Sequence, residues 1–221
     1  LSGHCLPAPV DAIVVQRESA AGRLAVSWGL ATTQGWRRKY EDAHFMLLGD
    51  PEVGSDGGST HVFAVLDGHG GATAAKASQR MLREKLQRSR DSGAFSGTDK
   101  ELRVTLGQAF RSVDEDLRRM LHPHDHSGTT VVAAVVRPGT KPHSYKVTLA
   151  HVGNSRAVGQ MRGQLIFTKD HKPDAPGERR RIEAAGGEIR PMNGKSGGPM
   201  RVDGSLAVSR SLGNFPFKEV G

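Results

Sequence analysis

The sequence holds a single cysteine, Cys5, so no disulfide can form within the chain. A reducing compartment fits that usage. Aromatic residues are scarce, at 5%. None lies among the arginines of the densest basic run, Arg179-Arg180-Arg181, where bases would need platforms to stack on. The longest apolar run, Val131 to Val136, is far too short for a membrane span. Leu1 opens the sequence in place of a methionine, which leaves room for an upstream targeting segment.

What is present is a lean globular composition over 221 residues, enough for one sizeable core. The formal net charge of +8 suits anionic partners such as phosphorylated protein, nucleic acid or an acidic membrane. A nucleic-acid module would rest on that charge alone and is disfavoured. The Arg179 to Arg181 run reads as the solvated face of a helix.

Short strands are expected at Leu24 to Leu30, Ala43 to Leu48 and 61–67. Helices follow from Ala72 to Leu86, and after Thr98-Asp99-Lys100-Glu101, whose spacing is that of a capping box. In the second helix Leu102, Leu106, Phe110, Val113, Leu117 and Leu121 fall on one face. The segment 127–136, SGTTVVAAVV, reads as a strand covered on both faces. Tyr145 to Val152, Arg156 to Met161 and Gln164 to Thr168 are joined too tightly for parallel crossovers and predict an antiparallel meander. Pro176 marks a helix start and Gly186-Gly187 its end. Residues 50–60 read as a loop and 191–204 as a mobile loop. Antiparallel strands covered on both faces need two stacked sheets with helices outside each. The expected fold is α+β, a four-layer α-β-β-α sandwich. No repeat or long linker divides residues 1–221, which read as one domain with 1–23 an N-terminal extension or first strand.

Two clusters carry candidate chemistry. Asp67-Gly68-His69 ends the 61–67 strand, where a carboxylate on a rigid element can hold a metal and a histidine can move a proton. A glycine-rich strand-to-helix turn is the plainer reading. Arg37, Glu41 and Asp42 precede a strand able to pair with 61–67. Carboxylate oxygens suit Mg²⁺ and Mn²⁺, and arginine offers a fork for phosphate. A surface salt-bridge network is the alternative. His122, His124, Asp125 and His126 could be taken for a Zn²⁺ or Ni²⁺ site, but Pro123 and the helix end before them favour a polar loop. Asp170-His171 reads as a turn rather than a catalytic pair.

Six segments together are more telling than any one. GWRRKYEDAH (35–44), VFAVLDGHGG (62–71), SGTTVVAAVV (127–136), VGNSRAV (152–158), KDHKPDAPGERRRIEAAGGEI (169–189) and RVDGSLAVSRSLGN (201–214) stand in the order found in PPM-type, or type 2C, metal-dependent serine/threonine protein phosphatases. The chain resembles that family from about Leu24 to Lys218. The resemblance implies hydrolysis of phosphoserine and phosphothreonine in proteins by a water activated between two Mn²⁺ or Mg²⁺ ions. It implies that Asp67 bridges the ions and that the Gly68 carbonyl binds one of them. Glu41 and Asp42 would act through water, Arg37 would bind phosphate, and His69 would protonate the leaving oxygen. Residues 191–204 lie where the family has a flap.

Two departures set expectations. Asn154 stands where the family has an aspartate ligand for a third, weaker ion, so that site should be weakened. Asn214 also replaces a common aspartate, with no functional claim attached. The Asp-Gly-x-x-Asp and Asp-Asn motifs that complete the family's metal cage do not occur in these 221 residues. The expectation is a chain that is most of a catalytic domain, with little activity alone. A pseudophosphatase that binds partners on the same fold is the alternative. Phosphorylated protein substrates, a monomeric state and a cytoplasmic or nuclear location complete the reading.

Overall fold

The computed structural model describes residues 8–9, 14–20, 26–49, 60–141, 144–192 and 198–218. The centre is a four-stranded antiparallel sheet. Its order is β3 (Ala43–Leu47), β4 (His61–Leu66), β7 (Val131–Pro138) and β8 (Tyr145–Val152). Two long helices, α1 (Thr73–Asp91) and α2 (Asp99–Met120), cover one face. Strand residues alternate in direction. Ala43, Phe45 and Leu47 from β3, Val62, Ala64 and Leu66 from β4, and Val131, Ala133 and Val135 from β7 meet the helices and are buried. The helices answer with Leu82 and Leu86 from α1 and Leu102, Leu106, Val113 and Leu117 from α2, all at most 2% exposed. Each such side chain contributes roughly 1.5–3 kcal/mol by leaving water.

The capping box forms as its spacing predicts. The Thr98 hydroxyl accepts from the Glu101 amide at 3.3 Å, and the Glu101 carboxylate accepts from the Thr98 amide at 2.7 Å. The α1 helix extends beyond Leu86 to Asp91 and has no capping side chain of its own. Its Ala74 amide donates instead to the Ser127 hydroxyl, 3.1 Å away on a distant segment.

Three expectations need correction. The segment 127–136 is not one strand, nor fully covered. It divides at Thr130 into β6 (Gly128–Thr129) and β7, and along β7 buried residues alternate with half-buried ones. The second face is met by the hairpin of β1 (Val14–Ala20) and β2 (Val26–Thr32), where the Trp28 ring lies 6.2 Å from Phe63. Val65 stays 45% exposed on that side. The expected meander is also broken. β9 (Val158–Met161) pairs with β10 (Gln164–Phe167), but β9 does not join β8. The intervening turn is held by the segment that follows β10, with Arg156 bonded to both Asp170 oxygens at 2.8 Å and the Gly153 amide donating to His171 Nδ1. Finally, 191–204 is not all loop. β11 (Ile189–Pro191) pairs with β12 (Met200–Val202), while 193–197 lie outside the described residues, as do 50–59 of the other expected loop.

The α3 helix (Pro176–Ala184) starts on Pro176 and is followed by Gly186 in the left-handed region at φ 85°. It is clipped to the segment 209–211 by Glu178. That carboxylate receives Arg210 through both oxygens, at 2.9 and 2.7 Å, and Arg181 at 2.9 Å. Burial pushes the Glu178 carboxyl up, but the hydrogen bonds from Arg210 and Arg181 outweigh it and hold it at about 2, below the ordinary 4.5. The depressed value means stability present above about pH 4.5 and lost as the pH falls towards 2. Glu178→Gln should therefore cost on the order of 2 kcal/mol at pH 7. Urea unfolding across the pH range should show the gap between variant and parent closing by about pH 2. A gap that stays constant would remove the clip from the stability account.

Candidate active site

The site is built by strand register. Ala43 pairs with Leu66 across β3 and β4. One step further along this antiparallel ladder sets Asp42 opposite Asp67, and the next sets Glu41 opposite Gly68. The approach at the second step is close. A side chain on Gly68 would overlap the Glu41 carbonyl and come 2.9 Å from the Ala75 Cβ, so only glycine fits. Asp42 senses the company. Burial raises its carboxyl above the ordinary range, Asp67 and Glu41 raise it further, and Arg37 pulls it down. Arg37, Glu41, Asp42, Asp67 and Gly68, predicted from two separate stretches, thus stand together at one end of the sheet. Arg37 is exposed there, its backbone held by Gln34, whose amide donates to the Arg37 carbonyl at 2.7 Å.

Asp67 is gripped by Thr130, the residue between β6 and β7. Its amide donates to the Thr130 hydroxyl at 3.2 Å, and its carbonyl accepts from the Thr130 amide at 3.0 Å. The Thr130 hydroxyl also contacts that of Ser155, which ties the Gly153-Asn154-Ser155 turn to the same end of the sheet. Asn154 lies in that turn, half-buried. His69 follows in β5 (Gly68–His69), the outer strand of a small sheet completed by β6 and β13 (Leu212–Gly213). The partner of its ring is Asn214, with Nε2 2.7 Å from Oδ1, rather than any of the acidic residues.

Sequence reasoning missed Ser127 and Thr130 and gave Asn214, which it had singled out, no role. The available signal for the first two was the polar SGTT opening of an otherwise apolar strand. The histidine-rich stretch is a loop held by its own hydrogen bonds. His122 Nδ1 accepts from the His124 amide, and Asp125 accepts from the Ser127 amide at 2.7 Å. Asp170 and His171 lie in the stretch just before a turn at Pro173-Asp174, rather than in the turn expected there. The His171 ring stacks on His151 at 4.5 Å, and its imidazole is held below the ordinary range by burial and then by His151.

The donors at the sheet end are carboxylate oxygens, the preferred ligands of hard divalent cations. The crowding of Asp42 by Asp67 and Glu41 is a repulsion that such a cation relieves. The donor set therefore fits Mg²⁺ or Mn²⁺. Among the described residues no three His, Cys, Asp or Glu side chains converge closely enough to cage an ion by themselves. A cavity of about 410 Å³ lies apart from the carboxylates, lined by Arg181, Ile182, Val202, Leu206, Arg210 and Lys218 among others, and Asn214 reaches its wall. No helix among the described residues is long and apolar enough to cross a membrane.

Comparison with known proteins bears on the whole chain. Residues 26–221 match the family model described as protein phosphatase 2C. Human probable protein phosphatase 1N is 42% identical over 193 residues, covering 87% of this chain and 40% of that protein. Human protein phosphatase 1A is 35% identical over 216 residues, covering 95% of this chain and 52% of that protein. The chain spans about half the length of these curated relatives. Among solved structures, a C. elegans sex-determining protein superposes with a TM-score of 0.63 at 25% identity, covering 93% of this chain and 45% of that one. A serine-threonine phosphatase 2C from Toxoplasma gondii gives 0.65 at 18% identity, covering 98% and 73%, a likeness of fold. Its antiparallel sheets and flanking helices make the chain α+β, as expected, and by its match to the family model the chain belongs to the protein phosphatase 2C family.

Proposed function

We propose that the chain is the N-terminal major part of a single PPM-type catalytic domain whose activity is the hydrolysis of phosphoserine and phosphothreonine in proteins. The observation that carries the reading is the grouping of Arg37, Glu41, Asp42 and Asp67 at one sheet end, where burial first and then Asp67 raise the Asp42 carboxyl and Arg37 opposes them. Asp67 and the Gly68 carbonyl would hold two Mn²⁺ or Mg²⁺ ions, with Glu41 and Asp42 acting through water. Bound ions supply Lewis acidity and make water a better nucleophile at neutral pH. The planar guanidinium of Arg37 suits two phosphoryl oxygens. His69 gives a proton to the departing serine or threonine oxygen, which would otherwise leave as a poor alkoxide. The net charge of +8 suits phosphorylated substrates. The single cysteine accords with a cytoplasmic or nuclear setting, and we take the acting unit to be a monomer.

The 221-residue chain alone should hold the ions weakly, because its described carboxylates form no closed cage. That observation, with an amide at Asn154, favours a second reading: a pseudophosphatase that binds protein partners on the same fold. Calorimetric titration with Mn²⁺ and hydrolysis of a phosphothreonine peptide separate the two. On the enzyme reading, the protein carrying this domain hydrolyses the peptide in Mn²⁺, and Asp67→Asn lowers the rate by about 100-fold or more. Unchanged turnover in Asp67→Asn would take that residue out of the mechanism, and no turnover under any metal condition supports the pseudoenzyme. Asn154→Asp should tighten the weakest Mn²⁺ binding step by about tenfold, read by the same titration. An unaltered isotherm would show that position 154 does not face an ion.

A further inference from the structure

The small sheet pairs His69 with Gly128, and Gly128 with Gly213. Asn214 follows directly, in the left-handed conformation at φ 53°. Its side chain passes over Gly128 through the space where a Cβ would stand: a methyl there would overlap the Asn214 amide. Beyond that crossing Asn214 Oδ1 meets His69 Nε2 at 2.7 Å. The amide's other end fixes which atom faces the ring. Asn214 Nδ2 donates to the His126 carbonyl at 3.0 Å, and a carbonyl can only accept. Oδ1 must therefore face His69, and it too can only accept, so Nε2 carries a hydrogen whatever the charge of the ring.

Asn214 is well placed to hold that geometry. It is 2% exposed. Its amide donates to the Ser127 carbonyl at 2.9 Å, and the Gly213 amide donates to Asp114 of α2 at 2.9 Å. Lys218 grips both oxygens of the same Asp114, at 2.7 and 2.8 Å. Among the described residues the other ring nitrogen of His69, Nδ1, has no hydrogen-bond partner.

We propose that Asn214 is a positioning residue for His69. It holds Nε2 inward as a donor and leaves Nδ1 as the nitrogen that serves the leaving group. The inference rests on the reading of His69 as the proton donor. In the step, the Nδ1–H bond breaks and an O–H bond forms on the serine or threonine oxygen. The P–O bonding pair passes to that oxygen, and the ring ends neutral with its hydrogen on Nε2, the form Asn214 accepts from. An apolar side chain at 214 removes the acceptor and frees the ring to turn. An aspartate keeps an acceptor in place.

The test is an ¹H–¹⁵N spectrum of the histidine rings in the 221-residue chain, with His69 assigned by its disappearance in His69→Gln. The parent should show a ring N–H at Nε2 of His69 that is protected from solvent exchange. Asn214→Leu should speed that exchange by about tenfold or more, Asn214→Asp should restore it, and the backbone amides of the four-stranded sheet should stay in place in both. Gly128→Ala approaches the same contact from the other strand and should lose the protected signal as well, which covers the case in which a variant at 214 fails to fold. An unprotected Nε2 in the parent, or a signal that survives in Asn214→Leu or Gly128→Ala, overturns the proposal. The reading of His69 fails separately, if His69→Gln in the protein carrying this domain hydrolyses the phosphothreonine peptide in Mn²⁺ as fast as that protein without the substitution, while the ring signal still depends on Asn214.

Discussion

Everything at the sheet end follows from one pairing, Ala43 against Leu66. A strand's side chains alternate, so a slip of one residue would turn Phe45 and Val62 out of the helix-facing core. The cost of exposing those buried groups fixes the register. With the register fixed, Asp42 has no choice but to face Asp67, and two carboxylates are held near each other by forces that act on apolar residues several positions away. The core accepts the repulsion because the ladder leaves both carboxylates at its exposed end, where Arg37 offsets part of it.

Glycines permit a second kind of approach. At Gly68 the Glu41 carbonyl occupies the space of a side chain, and at Gly128 the Asn214 amide does the same. Both sit on the short strands beside Asp67. The long strands of the central sheet are rich in valine and supply rigidity, whereas these two positions let backbone and amide groups come within reach of the chemistry. The division is physical: burying branched side chains stiffens a sheet, and omitting a side chain lets polar groups converge.

Much of this was legible in the sequence. Thr98 to Glu101 announced the helix cap, and the period of Leu102, Leu106, Val113 and Leu117 announced the face of α2. The acidic cluster could be assembled because its two halves adjoin strands that pair. What escaped was set by contacts distant along the chain. The broken meander depends on Asp170 capturing Arg156 and on His171 receiving the Gly153 amide, neither visible in local pattern. The uneven cover of β7 could not be read from a run in which every residue is apolar, because such a run has no period to say which side is inward. The task of Asn214 was hidden for the same reason: its partner lies far back in the sequence, across a glycine.

The small sheet of β5, β6 and β13 has only two residue pairs at each junction, so its ladder contributes little by itself. Ser127 illustrates what holds it instead. Its hydroxyl receives the Ala74 amide of α1, its amide donates to Asp125, and its carbonyl receives the Asn214 amide. One serine thus caps the start of a helix, shapes a loop and seats the residue behind His69. Substitutions at Ser127, Gly128 and Asn214 act on shared partners, so their effects will not sum as independent sites do. The three positions behave as one unit, in which the cost of any change depends on what stands at the other two.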